Sequence, residues 1–129
     1  MGLPIISSWK KGSGNESIDI HLVEKKEANI NLIKKKSIKV NFYKKIPKKW
    51  KGDVIFFAVK PQDFKKVAEE INLNNVLFKN IVSIMAGITT SKIRSYMKTQ
   101  TSVTRVMPNL AVEVNLGVNC IFHSNNTKK

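Results

Sequence analysis

The run Val54-Ile55-Phe56-Phe57-Ala58-Val59 constrains this chain more than any other feature. Every residue in it is apolar, so an extended segment here offers water neither face. It is far shorter than the roughly 20 residues a membrane helix needs. A short apolar run closed by Pro61 reads as a strand buried on both faces, the kind that parallel α/β sheets contain. The next segment changes period. Phe64, Val67, Ala68 and Ile71 fall on one helical face, with Lys65, Lys66, Glu69 and Glu70 on the other. Ile81 to Met85 is a second buried strand, followed by Ala86-Gly87. Thr89, Thr90 or Ser91 can cap a helix whose apolar stripe is Ile93, Tyr96 and Met97. Ser102 to Val106 is a third strand, broken at Met107-Pro108-Asn109, and Gly117 to His123 is a last candidate.

The first part of the chain is less sharply patterned. Leu3 to Lys11 reads as a helix with Ile5, Ile6 and Trp9 on one face, and residues 12–15 as a loop. Ile18 to Val23 is a strand candidate, and Glu27 to Lys34 a weak helix. Ile38 to Phe42 alternates as a strand with one wet face, and residues 46–51 turn around Pro47. Strand, helix and strand in alternation predict a parallel sheet with crossovers. Ligands bind such sheets outside the carboxyl ends of the strands. The loops after Val59, Met85 and Val106 should therefore share one end.

Charge bears on what the chain binds. It has 23 basic and 9 acidic residues in 129, a net charge of +14. Nucleic-acid readers favour Arg, whose planar fork grips phosphate and guanine. Here only Arg94 and Arg105 are Arg. No aromatic platform is interleaved with the Lys pairs, and no zinc or helix-turn-helix signature appears, so the pattern argues against nucleic acid. The single cysteine, Cys120, excludes an internal disulfide. With no secretory signal and no membrane-length apolar run, a cytoplasmic location is expected. Cys120 and His123 are three apart on a predicted strand and point to opposite faces, so no metal site is expected; Cys120 reads as a small buried residue. Asp19 and His21 share a strand face and read as a surface pair.

Four short motifs then occur in order: Asp53-Val-Ile-Phe-Phe-Ala-Val-Lys-Pro-Gln62, Ile81-Val-Ser-Ile-Met-Ala-Gly-Ile88, Val103-Thr-Arg-Val-Met-Pro-Asn109 and Gly117-Val118. In order and spacing they resemble pyrroline-5-carboxylate reductase. The resemblance implies a Rossmann-like, doubly wound parallel sheet. Met1-Gly2 then resembles the end of the glycine-rich loop, and the first strand and the rest of that loop lie outside residues 1–129. It also implies an NAD(P)H-dependent reductase that transfers hydride to the imine of 1-pyrroline-5-carboxylate and forms L-proline. NADPH and NADH both remain open as the cofactor. Residues placed toward it by the resemblance are Met1, Gly2, Glu24, Ala58, Val59, Lys60, Pro61, Ala86 and Gly87, with Asn109 near the substrate.

Glu24 follows the second family strand, where an acid hydrogen-bonds the adenosine ribose. Its charge favours NAD, whereas Lys25 and Lys26 favour NADP, and the sequence leaves the two opposed. No residue present is assigned as a catalytic acid. Leu110-Ala111 replaces the Thr-Pro that commonly follows the M-P-N motif. Nothing matches the family's second, helical domain, which forms the homo-oligomer and most of the substrate pocket. The expectation is a partial dinucleotide-binding domain over residues 1–129, inactive alone. In a 3-2-1-4-5 sheet the first strand is central. Without it, the 18–23 and 53–59 strands lack their shared neighbour, and each buried unpaired backbone group costs about 1–3 kcal/mol. The alternatives are another Rossmann NAD(P)-dependent or F420-linked oxidoreductase and, against the motif evidence, a basic nucleic-acid-binding module.

Overall fold

The computed structural model describes residues 5–6, 18–36, 38–109 and 120–124. The chain divides into two compact units, residues 1–46 with 110–117 and residues 47–109 with 118–129.

The first unit is a strand–helix–strand: β1 (His21–Val23), α1 (Glu27–Lys35) and β2 (Asn41–Tyr43). The strands are parallel, with His21 beside Asn41 and Val23 beside Tyr43. Backbone bonds extend the ladder at both ends, from Asn41 N–H to the Ile20 carbonyl (2.8 Å) and from Glu24 N–H to the Tyr43 carbonyl (3.0 Å). α1 forms because Ile30 and Ile33 recur on one face, both buried. Glu27 in the first turn and Lys34 and Lys35 in the last suit the helix dipole. Ile33, Ile6 and Ile38 build the core, against which Ile20, Leu22, Val40 and Phe42 pack. Period-two alternation puts His21, Val23, Asn41 and Tyr43 on the strands' other face. The His21 ring stacks on Tyr43 at 5.7 Å. Its Nε2 lies 3.0 Å from the Asp19 carboxylate and its Nδ1 lies 3.1 Å from the Tyr43 hydroxyl. The expected Asp19–His21 pair is therefore present, and Tyr43 and Asn41 extend it.

The second unit contains β3 (Val54–Phe57), a 3-10 turn (Pro61–Asp63), α2 (Phe64–Leu73), β4 (Asn80–Ser83), α3 (Thr90–Met97), β5 (Ser102–Met107) and β6 (Cys120–Ser124). The sheet order is β3-β4-β5-β6. The first three strands are parallel and β6 is antiparallel to β5. β1 and β3, expected to lack a shared neighbour, belong to different sheets, and no described strand joins them. The helical stripe of α2 is found as expected, with Phe64, Ala68 and Ile71 buried. Phe64 meets Phe57 edge-on at 5.1 Å and Tyr96 at 5.8 Å. Ile81, Ile93, Met97 and Val103 complete this core.

Two expectations need correction. β3 is not buried on both faces: Phe57 is 2% exposed but Val54 is 45% exposed. Register places Phe57 and Ile55 on the same side as Ser83 and Ile81, the side where α2 packs its Phe64. Val54 and Phe56 alternate to the other side. Cys120 is exposed rather than buried, because it opens β6, the last strand in the order.

The entry to β3 is set by Trp50 and Gly52. Gly52 N–H donates to the Leu77 carbonyl (3.0 Å), and Leu77 N–H donates to that of Trp50 (2.9 Å). A Cβ on Gly52 would lie 1.9 Å from the Trp50 ring, so only glycine fits beneath the indole.

Candidate functional site

Because β3, β4 and β5 are parallel, their carboxyl ends deliver three loops to one end of the second unit, as expected from topology. After β3 come Ala58, exposed, Val59, half-buried, and Lys60, exposed. Lys60 is extended, with φ −65° and ψ 143°, the conformation a following proline imposes. Pro61 then opens the 3-10 turn, closed by Asp63 N–H donating to the Lys60 carbonyl at 2.9 Å.

After β4 the ladder runs one residue further, with Ile84 N–H donating to the Phe57 carbonyl at 3.1 Å. Ser83 is fully buried, and its hydroxyl accepts the Met85 N–H at 3.2 Å. The chain then turns outward at Ala86 and Gly87, both exposed. Gly87 has φ +70°, which explains the glycine. Among the described residues, nothing beyond its two chain neighbours lies within 4 Å of where its Cβ would stand, which leaves the backbone open to close approach. Thr89 closes the loop as the cap of α3, its hydroxyl accepting the Lys92 N–H at 3.2 Å. After β5, Asn109 is exposed. Sequence reasoning assigned no role to Arg105, whose buried Nε has no hydrogen-bond partner among the described residues.

The first unit carries Glu24, directly beyond β1. Its Oε1 accepts the Lys26 N–H at 2.9 Å and its Oε2 accepts the Asn29 side-chain amide at 2.8 Å. Partial burial pushes the Glu24 carboxyl up. The Lys26 N–H, the Asn29 amide, the Lys25 N–H and the Lys26 charge outweigh it and hold the group below its ordinary value. Lys25 and Lys26 are exposed. Asn29 was missed from the sequence; its position five residues past Glu24, in the first turn of α1, was the available signal.

Each unit, taken by itself, presents candidate ligand contacts. Glu24 is an acceptor at a strand end that already takes the Lys26 N–H, the Asn29 amide and the Lys25 N–H, which leaves about one of a carboxylate's roughly four acceptor sites. The second unit offers small exposed residues and an open backbone at Gly87. Met1, Gly2 and the Gly117-Val118 motif lie outside the described residues. Among the described residues no group of three His, Cys, Asp or Glu could hold a metal, and no helix is long and apolar enough to cross a membrane.

The profile of the family described as NADP oxidoreductase, coenzyme F420-dependent, matches residues 4–87. The chain is 35% identical over 74 residues to the pyrroline-5-carboxylate reductase of Staphylococcus epidermidis, which is 57% of this chain and 27% of that enzyme. It is 33% identical over 79 residues to that of Haemophilus influenzae, or 61% and 29%. The matched stretch thus spans little more than a quarter of these relatives. Among solved structures, a pyrroline-5-carboxylate reductase from Coxiella burnetii superposes with a TM-score of 0.78 at 21% identity, covering 99% of this chain and 47% of that one. A Plasmodium falciparum pyrroline carboxylate reductase with NADP bound gives 0.65 at 17% identity, covering 99% and 45%. At these identities the structural likeness shows the fold: a Rossmann-like α/β arrangement.

Proposed function

The chain belongs to the family described as NADP oxidoreductase, coenzyme F420-dependent, and from that premise we propose that it is the cofactor-binding part of a pyrroline-5-carboxylate reductase. The observation that carries the reading is the ordered set of loops Ala58-Val59-Lys60-Pro61, Ala86-Gly87 and Met107-Pro108-Asn109, set on three parallel strand ends. The relatives that bear the matching name support it. In such an enzyme NAD(P)H supplies a hydride for the imine carbon of 1-pyrroline-5-carboxylate, giving L-proline.

The residues of this chain bind and orient. Glu24 takes the adenosine ribose. Ala58, Val59, Lys60 and Pro61 line the nicotinamide half, where Pro61 keeps the chain extended through Lys60. Ala86 and Gly87 admit close approach to the backbone, and Asn109 stands toward the substrate. Met1 and Gly2 belong to the phosphate-binding turn. No side chain here is assigned the proton donor. As the resemblance implies, a second helical domain supplies most of the substrate pocket and the homo-oligomer contact, and the enzyme works in the cytoplasm.

A second reading, an F420-linked oxidoreductase, is favoured by the description of the matching family. Nicotinamide binding is common to both readings, and the product formed separates them. Reduced-nicotinamide fluorescence should saturate as the 129-residue chain is added to NADH or NADPH. Proline should form from 1-pyrroline-5-carboxylate when the longest in-frame product of the same locus is assayed. Consumption of reduced F420 without proline would move the assignment to the second reading.

A further inference from the structure

The amino end of the second unit's sheet lies opposite the three loops and carries a surface that cofactor binding does not use. Residues 49–52 run along residues 74–77. Lys49 N–H donates to the Asn74 carbonyl at 2.7 Å, Leu77 N–H to that of Trp50 at 2.9 Å and Gly52 N–H to that of Leu77 at 3.0 Å. The pairing sets Lys51 beside Leu77. It gathers at one end two leucines left in water, Leu73 at 81% exposure and Leu77 at 56%. Around them stand Lys48, Lys49, Lys51 and Lys98, all exposed. Lys98 shares a shallow groove with Leu77, lined also by Ile71, Val76 and Met97. None of these four lysines meets a carboxylate among the described residues, whereas nearby Lys79 is held by Asp53 at 2.6 Å. The α2 acids Glu69 and Glu70 stand one turn back from Leu73, toward the loop end.

The composition of this patch selects its partner. A leucine held in water gains by entering an apolar phase. A lysine stem can lie along that phase while its ammonium stays wet. Compact ammonium charges suit a layer of phosphates with no fixed geometry. Nucleic acid asks for other groups. Arg94 is bonded to the Thr101 and Ser124 carbonyls, and Arg105 lies toward the other end of β5. The Trp50 ring is packed onto Gly52 rather than held out as a platform for a base. We propose that this end of the second unit is a peripheral docking surface for an anionic phospholipid bilayer. Leu73 and Leu77 enter the headgroup layer, and the four lysines meet lipid phosphates. Neither set suffices alone, since reversible membrane attachment takes two signals. Docked this way, the loops at the carboxyl ends of the strands face away from the bilayer.

The experiment is flotation of the full 129-residue chain with vesicles of phosphatidylcholine alone and of phosphatidylcholine mixed with phosphatidylserine. The chain should float with the mixed vesicles only, and added salt should release it. Each lysine near such a surface is worth about fivefold in affinity. Lys48→Gln, Lys49→Asn and Lys51→Gln together should therefore weaken binding about a hundredfold; Asn suits the φ of +54° at position 49. Leu73→Ser should weaken it several-fold with the melting temperature unchanged, since that side chain is exposed. Lys65→Gln, Lys66→Gln and Lys92→Gln remove the same charge from the loop end and should change binding far less. Equal losses from the two triple variants would show a response to net charge, which overturns the proposal. Equal flotation with both kinds of vesicle, or with neither, also overturns it. Tighter binding of poly(U) RNA than of mixed vesicles at the same salt would assign the patch to nucleic acid instead.

Discussion

Glu24 holds its carboxylate in a balance between burial, which favours the neutral acid, and two close N–H donors, which favour the anion. The donors win, so the folded-state value lies below the ordinary 4.5. The linkage follows from that direction. Above 4.5 the group is ionised in both folded and unfolded chains, and its stabilising contribution is fully present. As pH falls below that value toward the folded one, the unfolded chain takes up the proton first and the contribution is lost. Asn29→Ala removes one donor. The Glu24 side-chain carbon, followed by NMR from pH 7 downward, should then titrate at a higher pH than in the wild type.

At the scale of elements, α3 depends on its first turn. Thr89 is extended at φ −76° and ψ 158°, and its hydroxyl takes the Lys92 N–H. Thr89→Ala should lower stability by about 1 kcal/mol in urea unfolding, whereas Ser at this position should keep most of it. The apolar periodicity of Phe64, Ala68 and Ile71 and of Ile93 and Met97 was legible in the sequence because a helix in contact with a sheet has one buried stripe. The three loop ends were legible because parallel strands leave a topology no other choice. The two-sided burial of β3 was not legible correctly. An apolar run records what a strand is suited to, whereas burial depends on what packs against each face, and Val54 is 45% exposed. Asn29 was hidden for another reason: a side-chain amide that reaches back five residues leaves no period. Arg105 stood out as one of two arginines, but no period in the sequence shows that its Nε is buried.

For the whole molecule, the division into two units gives each its own apolar centre. Ile33 with Ile6 and Ile38 serves one, and Ile81, Ile93 and Val103 serve the other. Ile33→Ala deletes buried carbon from the first centre only, a change that costs about 2–5 kcal/mol. Hydrogen exchange should then quicken at Leu22 and Phe42 far more than at Ile81 and Val103. Equal acceleration at all four would show that the units unfold as one. The +14 charge matters less to cofactor binding than its size suggests. Of the lysines, only Lys60, Lys25 and Lys26 stand at strand ends argued to meet cofactor.

β6 has a practical consequence for anyone who purifies the chain. It closes the four-stranded order, and its Ile121 and Phe122 are 67% and 59% exposed. A greasy strand at a sheet margin recruits other copies of itself. Cys120, exposed at the first position of that strand, lets air oxidation turn a passing encounter into a covalent dimer. Such dimers would seed precipitation during concentration. Reductant or a Cys120→Ser substitution should remove the dimer band from a non-reducing gel and leave the encounters reversible.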